Sequence, residues 1–412
     1  MKNAKERHKK EIDWLSSAVV PINSVELYSD YGDLSYLKAR AKNAKIVALG
    51  EVTHGSSEIS KMKTKIARYL IEKCGFNIFA IEAAMPEAYN LNEYILKGKG
   101  DPKELIAGMG FWTWDTQEVL DFVNWMKDYN DHHKKKVIFA GFDMQFYRGA
   151  VSEIKKLYNI YHIKDEPGSL DDLETNLEKF KEMRKYKPAP FTQKELRYFK
   201  EEFSFLRKFG NKNIRNTKEK AWFLRCIRIL EQSATLTQDV DRFRSFNRRD
   251  RWMAENLLWI TNHNKHPRVI VWAHNAHIRK ADKTPMYKKM MGYYVSKRLK
   301  QKYLAVGFAI NRGKYTARHW KTEKLSVYPL QTAYPGTYEY YFHMVGKPLF
   351  LLDFKRLNFG DPAGKWLKKK LRFRMTGAAF YYREFSPEPI FKDFDMVVFI
   401  ERSTPTKLLH KH

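Results

Sequence analysis

Cysteine and long apolar runs are both scarce in this 412-residue chain. Its two cysteines, Cys74 and Cys226, lie in helical patterns and outside any C-x-x-C motif. We therefore expect two buried thiols in a reducing cytoplasm, not a disulfide framework. No apolar run approaches the roughly 18 residues of a membrane span, and the charged N-terminal stretch has no apolar signal-peptide core. These absences predict a cytoplasmic protein with no membrane span.

Several enzyme signatures are missing as well. The chain has no G-x-S-x-G elbow, which argues against an ordinary serine hydrolase. It also has no Walker A motif and no Rossmann G-x-G-x-x-G motif, so it offers no familiar nucleotide-binding loop. We expect no cofactor.

Acidic residues are outnumbered, with 47 Asp and Glu against 76 Lys and Arg, for a net charge of +29. The basic residues are densest in 165–250 and in 364–373, "GKWLKKKLRF". There is no zinc-finger, RNP or interleaved aromatic-and-basic pattern. A solvated basic surface with weak affinity for polyanions is therefore favoured over a specific nucleic-acid reader.

Seven short apolar runs predict strands buried on both faces, because each is bounded by turn or polar residues. They span residues 45–51, 77–82, 136–143, 268–274, 303–310, 349–353 and 395–401. Helical apolar patterns at 56–73, 116–130 and 286–301 lie between them. This alternation predicts an α/β fold with a mostly parallel central sheet flanked by helices.

The long segment 144–267 interrupts this alternation. It is charged and mainly helical, with a proline-rich break at 186–191. We interpret about 160–240 as a helical insertion between the third and fourth strands, serving either as a wall over the site or as an appendage. The whole chain, 1–412, is predicted to form one α/β domain.

Polar side chains follow four of the apolar runs, at the ends where the predicted strands stop. They are Glu51 with His54, Glu82, Asp143, and His274 with His277. Parallel sheets bind ligands beyond the carboxyl ends of their strands, so these groups are expected to converge. A single acid there is often only a turn former, but several together indicate a catalytic site.

The stretch "VALGEVTHGSSE", residues 47–58, suggests specific roles. His54 precedes a predicted helix whose dipole disfavours imidazolium, so a neutral base is expected. Glu51 or Glu82 could orient it, and Lys63 could reach back toward the site or simply be exposed. The pair His274-x-x-His277 could bind a metal ion or donate hydrogen bonds to a carbonyl oxygen.

Several blocks of the chain resemble the erythromycin esterase family. They include "GEVTHGSSEISKMK" (50–63), "GFNIFAIE" (75–82), "FWTWDTQEVLDFVNWMKDYN" (111–130), "VIFAGFDMQ" (137–145), "RRDRWMAENLLW" (248–259) and "WAHNAH" (272–277). The resemblance implies an ester hydrolase in which His54 activates water and Glu51, Glu82, His274 and His277 line the cleft. It also implies that macrolide-cleaving members carry Arg at the position of Lys63 and a bulky residue at that of Gly55.

Together, the residues and the resemblance predict hydrolysis of a small-molecule ester or lactone without a covalent intermediate, and a macrolide is one candidate substrate. The predicted catalytic residues are His54, Glu51, Glu82, His274 and His277. The predicted substrate-binding residues are Lys63, Asp143, Glu58 and Trp114, with Asp143 positioned by an arginine or by the next loop. No metal ligand is assigned. The alternatives are a metal-dependent hydrolase and a non-hydrolytic transferase or polyanion-binding protein of polysaccharide metabolism.

Overall fold

The computed structural model describes residue 6 and residues 8–161, 175–176, 191–238, 241–282 and 288–412. The strands in these residues are β1 (Val19–Pro21), β2 (Ile46–Leu49), β3 (Ile78–Ala84), β4 (Ile138–Asp143), β5 (Val269–Trp272), β6 (Tyr303–His319), β7 (Leu325–Leu330), β8 (Leu349–Asp353), β9 (Arg372–Arg374), β10 (Ala379–Phe380), β11 (Phe385–Pro387) and β12 (Met396–Ser403).

The α-helices follow the same chain order. They are α1 (Lys9–Ser16), α2 (Ser35–Ala41), α3 (Ser57–Cys74), α4 (Met85–Lys97), α5 (Pro102–Ala107), α6 (Gln117–His132), α7 (Arg148–Tyr161), α8 (Gln193–Asn213), α9 (Thr217–Gln238), α10 (Arg242–Asn262), α11 (Asn275–Ile278), α12 (Met291–Leu299), α13 (Tyr338–Met344) and α14 (Ile390–Asp393). Within the described residues, no helix has the length and apolar character needed to cross a membrane.

The main sheet runs in the order β1-β8-β12-β6-β2-β5-β3-β4. All pairs from β12 to β4 are parallel, whereas β8 and β1 join at the other edge as antiparallel strands. This confirms the predicted α/β fold and its mostly parallel sheet. The central strand β2 is fully buried, since helices cover both faces, which explains why its sequence is apolar without alternation.

Two of the predicted helices are bounded by residues that cap their ends. Helix α3 begins after Ser56, whose hydroxyl accepts a hydrogen bond from the Ile59 amide, and it ends at Gly75 with φ of 72°. Helix α6 begins after Thr116, which caps it in the same way. The helix predicted at 286–301 is shorter, Met291–Leu299; its first two residues, 286 and 287, lie outside the described part of the chain.

Strand β6 is longer than predicted. It continues past residue 310 to His319 and pairs with β7 in an antiparallel hairpin. The hairpin half carries polar and exposed positions, so it lacked the apolar signature by which the other strands were identified. Cysteine burial also differs from the prediction: Cys226 is buried, but Cys74 is only partly so, and both are free thiols.

The helical insertion lies between β4 and β5, and its described elements are α7 to α10. Parts of the predicted 160–240 segment, namely 162–174, 177–190 and 239–240, fall outside the described residues, as does most of the proline-rich break. Helix α10 packs back onto the sheet, because Asn256 donates a hydrogen bond of 3.0 Å to the Phe142 carbonyl of β4. It therefore forms a wall of the strand-end region.

Candidate active site

The glycine turn after β2 exists because two other segments approach its backbone closely. A Cβ on Gly50 would lie 2.0 Å from the side-chain oxygen of Asn275, and one on Gly55 would lie 1.8 Å from the Thr316 carbonyl of β6. The Thr316 amide also donates a 3.0 Å hydrogen bond to the Gly55 carbonyl. Only glycine fits at either position, and the turn between them holds Glu51 and His54 at the sheet edge.

The side chains of Glu51, His54, Lys63 and Trp272 form what we call the base half of the site. One oxygen of the Glu51 carboxylate contacts Nδ1 of His54. The other accepts hydrogen bonds of 2.7 Å from both Lys63 Nζ and Trp272 Nε1. Burial would raise the pKa of Glu51, but Lys63 and His54 together hold it below its ordinary value. Glu51 is therefore a fixed anion that orients the imidazole.

Lys63 acts from beneath this carboxylate. Its side chain is fully buried, and its ammonium lies 4.5 Å from the centre of the Trp272 ring. Burial lowers the pKa of Lys63 to about 8, against the opposing effect of Glu51. Lys63 Nζ also lies 3.4 Å from the Ala273 carbonyl oxygen. Of the two expectations for Lys63, the structure therefore agrees with a side chain that reaches back to the site and not with an exposed one.

Five further side chains form what we call the arginine half, with Arg249 of α10 at its centre. Its Nη2 donates 2.7 Å hydrogen bonds to Glu82 and to Asp143, and its Nε lies 3.1 Å from the second Asp143 oxygen. Burial alone would lower the pKa of Arg249, but Asp143 and Glu82 raise it instead. The other two members are Asp250 and His277.

His277 completes the arginine half, between two carboxylates and beside Arg249, whose Nη1 lies 3.4 Å from His277 Nε2. Its Nδ1 lies 2.8 Å from Asp250 and its Nε2 lies 3.1 Å from Glu82. Burial opposes the charge, yet these two carboxylates raise the pKa of His277 to about 10. In return, His277 and Arg249 hold the pKa of Glu82 well below its usual range despite burial. The arginine half therefore holds three carboxylates and, with His277 protonated, two cations, which gives it a formal net charge of −1.

His274 and Trp114 join the two halves. The His274 ring lies 5.6 Å from that of His54, and its backbone amide donates a 3.0 Å hydrogen bond to Glu82. Burial, with His54 and His277 nearby, lowers the pKa of His274 to about 3, so the ring is neutral. Trp114 lies 5.8 Å from His54, edge to face, and its indole N–H donates to the Glu82 carbonyl at 3.2 Å.

Eight of the nine predicted site residues meet in this region. The exception is Glu58, whose two carboxylate oxygens accept 2.6 Å hydrogen bonds from the amide and hydroxyl of Thr404. Asp143 contacts Arg249 and also the Met144 amide of the following loop, at 2.7 Å.

Sequence reasoning missed Arg249, Asp250 and Trp272 as members of the site. For the first two, the sequence offers an Arg-Arg-Asp-Arg stretch within an amphipathic helix. The structure shows that Arg249 and Asp250 lie on the buried face of that helix. Because buried charges need partners, two charged residues on a buried face indicate an ionic cluster. For Trp272, the signal is an indole at the end of a fully buried strand, whose N–H requires an acceptor.

Neither histidine of the His-x-x-His pair presents a lone pair for a metal ion. His274 Nδ1 accepts a 3.2 Å hydrogen bond from the Ala276 amide and its Nε2 lies 3.3 Å from the Val52 carbonyl, to which it must donate. His277 faces a carboxylate at each nitrogen. Among the described residues, no group of three or more His, Cys, Asp or Glu side chains could hold a metal ion.

Comparison of the sequence with known protein families gives a match that covers most of the site. The family profile described as erythromycin esterase covers residues 71–403, which is more than half of the chain. The chain belongs to the erythromycin esterase family. The matched span includes Glu82, Asp143, Arg249, His274 and His277, and it begins after the turn that carries Glu51 and His54.

Several known proteins resemble this chain over most of its length. "Putative hydrolase YbfO" of Bacillus subtilis (strain 168) is 25% identical over 430 residues, covering 96% of this chain and 92% of the relative. The crystal structure of a succinoglycan biosynthesis protein is 25% identical with a TM-score of 0.82, covering 97% of this chain and 98% of that one. A mutant of the erythromycin esterase EreC in its open conformation shares the fold, with 16% identity, a TM-score of 0.69 and coverage of 94% and 98%. The family and the Bacillus subtilis relative point to a hydrolase.

Proposed function

We propose that the protein hydrolyses a carboxylic ester or lactone by direct attack of a water molecule that His54 activates. The observation that carries this proposal is the orientation of the His54 ring. Its Nδ1 faces the Glu51 carboxylate, so the proton belongs on Nδ1 and the lone pair on Nε2. Among the described residues no protein group hydrogen-bonds Nε2, and the side chain is 10% exposed, against 1% for Glu51. Nε2 is thus the basic atom offered to water.

The arginine half is net negative as a whole, and its contribution to the reaction is assigned to the N–H groups of its two cations. As His54 takes a proton from water, the hydroxide attacks the ester carbonyl and its oxygen becomes anionic. Arg249 and His277 are the proposed donors to that oxygen, and a donor aimed at an oxyanion is typically worth about 3 kcal/mol. His54 then returns the proton to the leaving alkoxide, and no covalent intermediate is formed.

Two predicted substrate-binding residues are assigned positioning roles in this mechanism. Lys63 holds Glu51, and Asp143 holds Arg249, and both are fully buried behind the groups they contact. Trp114 forms an edge-to-face wall against His54 and can limit the access of bulk water to it. Glu51 and Glu82 are then the anions that orient the base and the arginine half, respectively.

The substrate is proposed to be an ester other than a macrolide lactone. The resemblance associates macrolide cleavage with Arg at the position of Lys63 and a bulky residue at that of Gly55. In this structure a side chain on Gly55 would collide with the Thr316 backbone of β6. A macrolide-type turn would therefore require β6 to move, and this chain retains the glycine.

A panel of esters, lactones and macrolides tests the proposal, with products identified by mass spectrometry. Hydrolysis appears as a mass gain of one water in the combined products. We expect the wild type to cleave at least one non-macrolide ester. The His54→Asn variant should not cleave it. Group transfer without incorporation of water, or cleavage that survives in His54→Asn, would contradict the proposal.

A further inference from the structure

The residues that follow β12 form a strap along two segments of the candidate active site. We define the strap as residues 404–412. It pairs first with the turn that leads into α3 and then with the residues that lead into α6, through short antiparallel bridges: Pro405 with Ser56, and Leu408 with Thr116. The first bridge lies close to His54 in the chain, and the second lies close to Trp114, whose ring contacts that of His54.

At the first bridge, the strap fixes the carbonyl group that follows His54. The Gly55 carbonyl already accepts a hydrogen bond from β6, and it accepts a second one of 3.0 Å from the Thr406 amide. Because a carbonyl oxygen has two lone pairs, both are now used and the peptide plane after Gly55 is fixed. The Ser57 amide donates to the Thr404 carbonyl at 3.0 Å, which pins the next part of the turn. The strap and β6 therefore hold the His54 turn together.

At the second bridge, the strap fixes the residue next to Trp114. The Leu409 amide donates a 3.0 Å hydrogen bond to the Asp115 carbonyl. The Asp115 side chain is fully buried, and both of its oxygens lie 3.0 Å from His410 Nδ1. One of them also lies 2.6 Å from His412 Nε2. A carboxylate accepts hydrogen bonds only, so both ring nitrogens must donate, and Asp115 anchors the end of the strap.

Two glutamates tie the strap to the first turns of α3 and α6. Glu58 of α3 accepts the two Thr404 hydrogen bonds described above. Glu118 of α6 accepts one of 2.5 Å from the Ser57 hydroxyl and one of 3.4 Å from the Lys407 amide. The hydrogen bonds of the strap thus run from Thr404 to its last residue and join the starts of both helices.

We propose that the strap positions the catalytic base, by holding the His54 turn and the Trp114 wall in a fixed relation. This inference rests on the proposed hydrolase function and adds Asp115, His410 and His412 as positioning residues. All three act through the backbone that they hold, since their side chains face one another. The placement of a catalytic group matters strongly, because a shift of about 1 Å can cost about a hundredfold in rate.

The first experiment releases the anchor and observes the turn at the other end of the strap by hydrogen exchange, without any substrate. In the released variant, His410→Ala/His412→Ala, we expect the amides of residues 53–57 to exchange at least about tenfold faster. The conservative variant His410→Asn/His412→Gln keeps an N–H donor near each original nitrogen and should stay within about twofold of wild type. The matched control is Lys407→Ala/Lys411→Ala, at exposed strap positions, and it should also stay within about twofold.

Two patterns of exchange would overturn the proposal. Acceleration confined to residues 115–117 would mean that the end of the strap opens alone, without loosening the His54 turn. Equal acceleration in β8, near the other edge of the sheet, would mean that the released variant has lost stability throughout.

The second experiment compares kcat and KM of the same four proteins on an ester that the wild type cleaves. A misplaced base slows the chemical step, so the released variant should lose about tenfold in kcat while KM changes by less than about twofold. The conservative variant and the control should retain the wild-type kcat. Unchanged kcat despite faster exchange at 53–57 overturns the positioning role and leaves the hydrolase intact. Faster exchange in a protein that cleaves no ester overturns the proposed function and, with it, the assignment of the held histidine as a base.

Discussion

The two halves of the site use similar residues for different purposes. In the base half a single carboxylate, Glu51, contacts two basic groups, and His54 keeps Nε2 available. In the arginine half three carboxylates surround two cations, and both nitrogens of His277 face acceptors. The first arrangement leaves one atom able to gain a proton, whereas the second fixes its protons in place. The comparison indicates that the base half moves a proton and the arginine half supplies a constant field.

Breaking the base half at its reactive atom should have the largest effect. His54→Asn is expected to lower kcat about 10³-fold, the usual worth of a general base. Thermal unfolding should change little, because Glu51 keeps its hydrogen bonds to Lys63 and Trp272. The exposed His132→Asn serves as the matched control and should leave both kcat and Tm at wild-type values.

Removing the cation beneath Glu51 should destabilise the fold as well as the site. Lys63→Met leaves a buried carboxylate without its ammonium, so the free energy of unfolding should fall by about 3–5 kcal/mol in urea denaturation. Lys61→Met on the same helix is the control, since its side chain is 37% exposed and should change stability by less than about 0.5 kcal/mol.

A double variant separates stability from function. Adding Glu51→Gln to Lys63→Met removes the unpaired charge, so most of the lost stability should return while activity stays low. Recovery of both stability and activity would show that Glu51 does not orient the base.

The arginine half should reveal itself through the pH dependence of stability. The pKa of His277 is raised to about 10 from an ordinary value of 6.5. Its stabilisation is therefore complete below pH 6.5 and is lost as the pH rises toward about 10. Between these values the wild type should lose up to about 1.4 kcal/mol per pH unit more than His277→Gln does. Parallel stability curves for the two proteins would place a neutral His277 in the site.

Chelation should have the smallest effect. The lone pairs of His274 and His277 are already engaged by an amide hydrogen or by protonation, and Arg249 bridges Glu82 and Asp143. We therefore expect full activity after dialysis against a chelator, and no stoichiometric transition metal by elemental analysis. One equivalent of zinc, lost together with activity, would instead favour a metal-dependent hydrolase.

The convergence of the site was predictable because buried parallel strands carry a strong apolar signal and deliver their next residues to one edge. His54, Glu82 and His274 were found in that way. Arg249 was not, because it comes from a helix inside a long insertion, and helical periodicity shows which face is buried without showing what it meets. The separation into two halves could not be predicted either, since it depends on which carboxylate each cation reaches.

Short-range sequence proximity also misled in one case. Glu58 lies only four residues from His54, yet it is in the first turn of α3 and faces Thr404 near the end of the chain. Contacts of this kind, 346 residues apart, leave no local pattern in the sequence.

Chemical rescue tests the central claim, that the His54 imidazole is the base, most directly. His54→Ala should be inactive on a substrate that the wild type cleaves, and added imidazole should restore part of the rate. Among substituted imidazoles the restored rate should rise with their basicity, as expected for general-base catalysis. If His54→Ala instead retains activity within about threefold of wild type, far from the hundredfold or greater loss of a missing base, His54 is not the base.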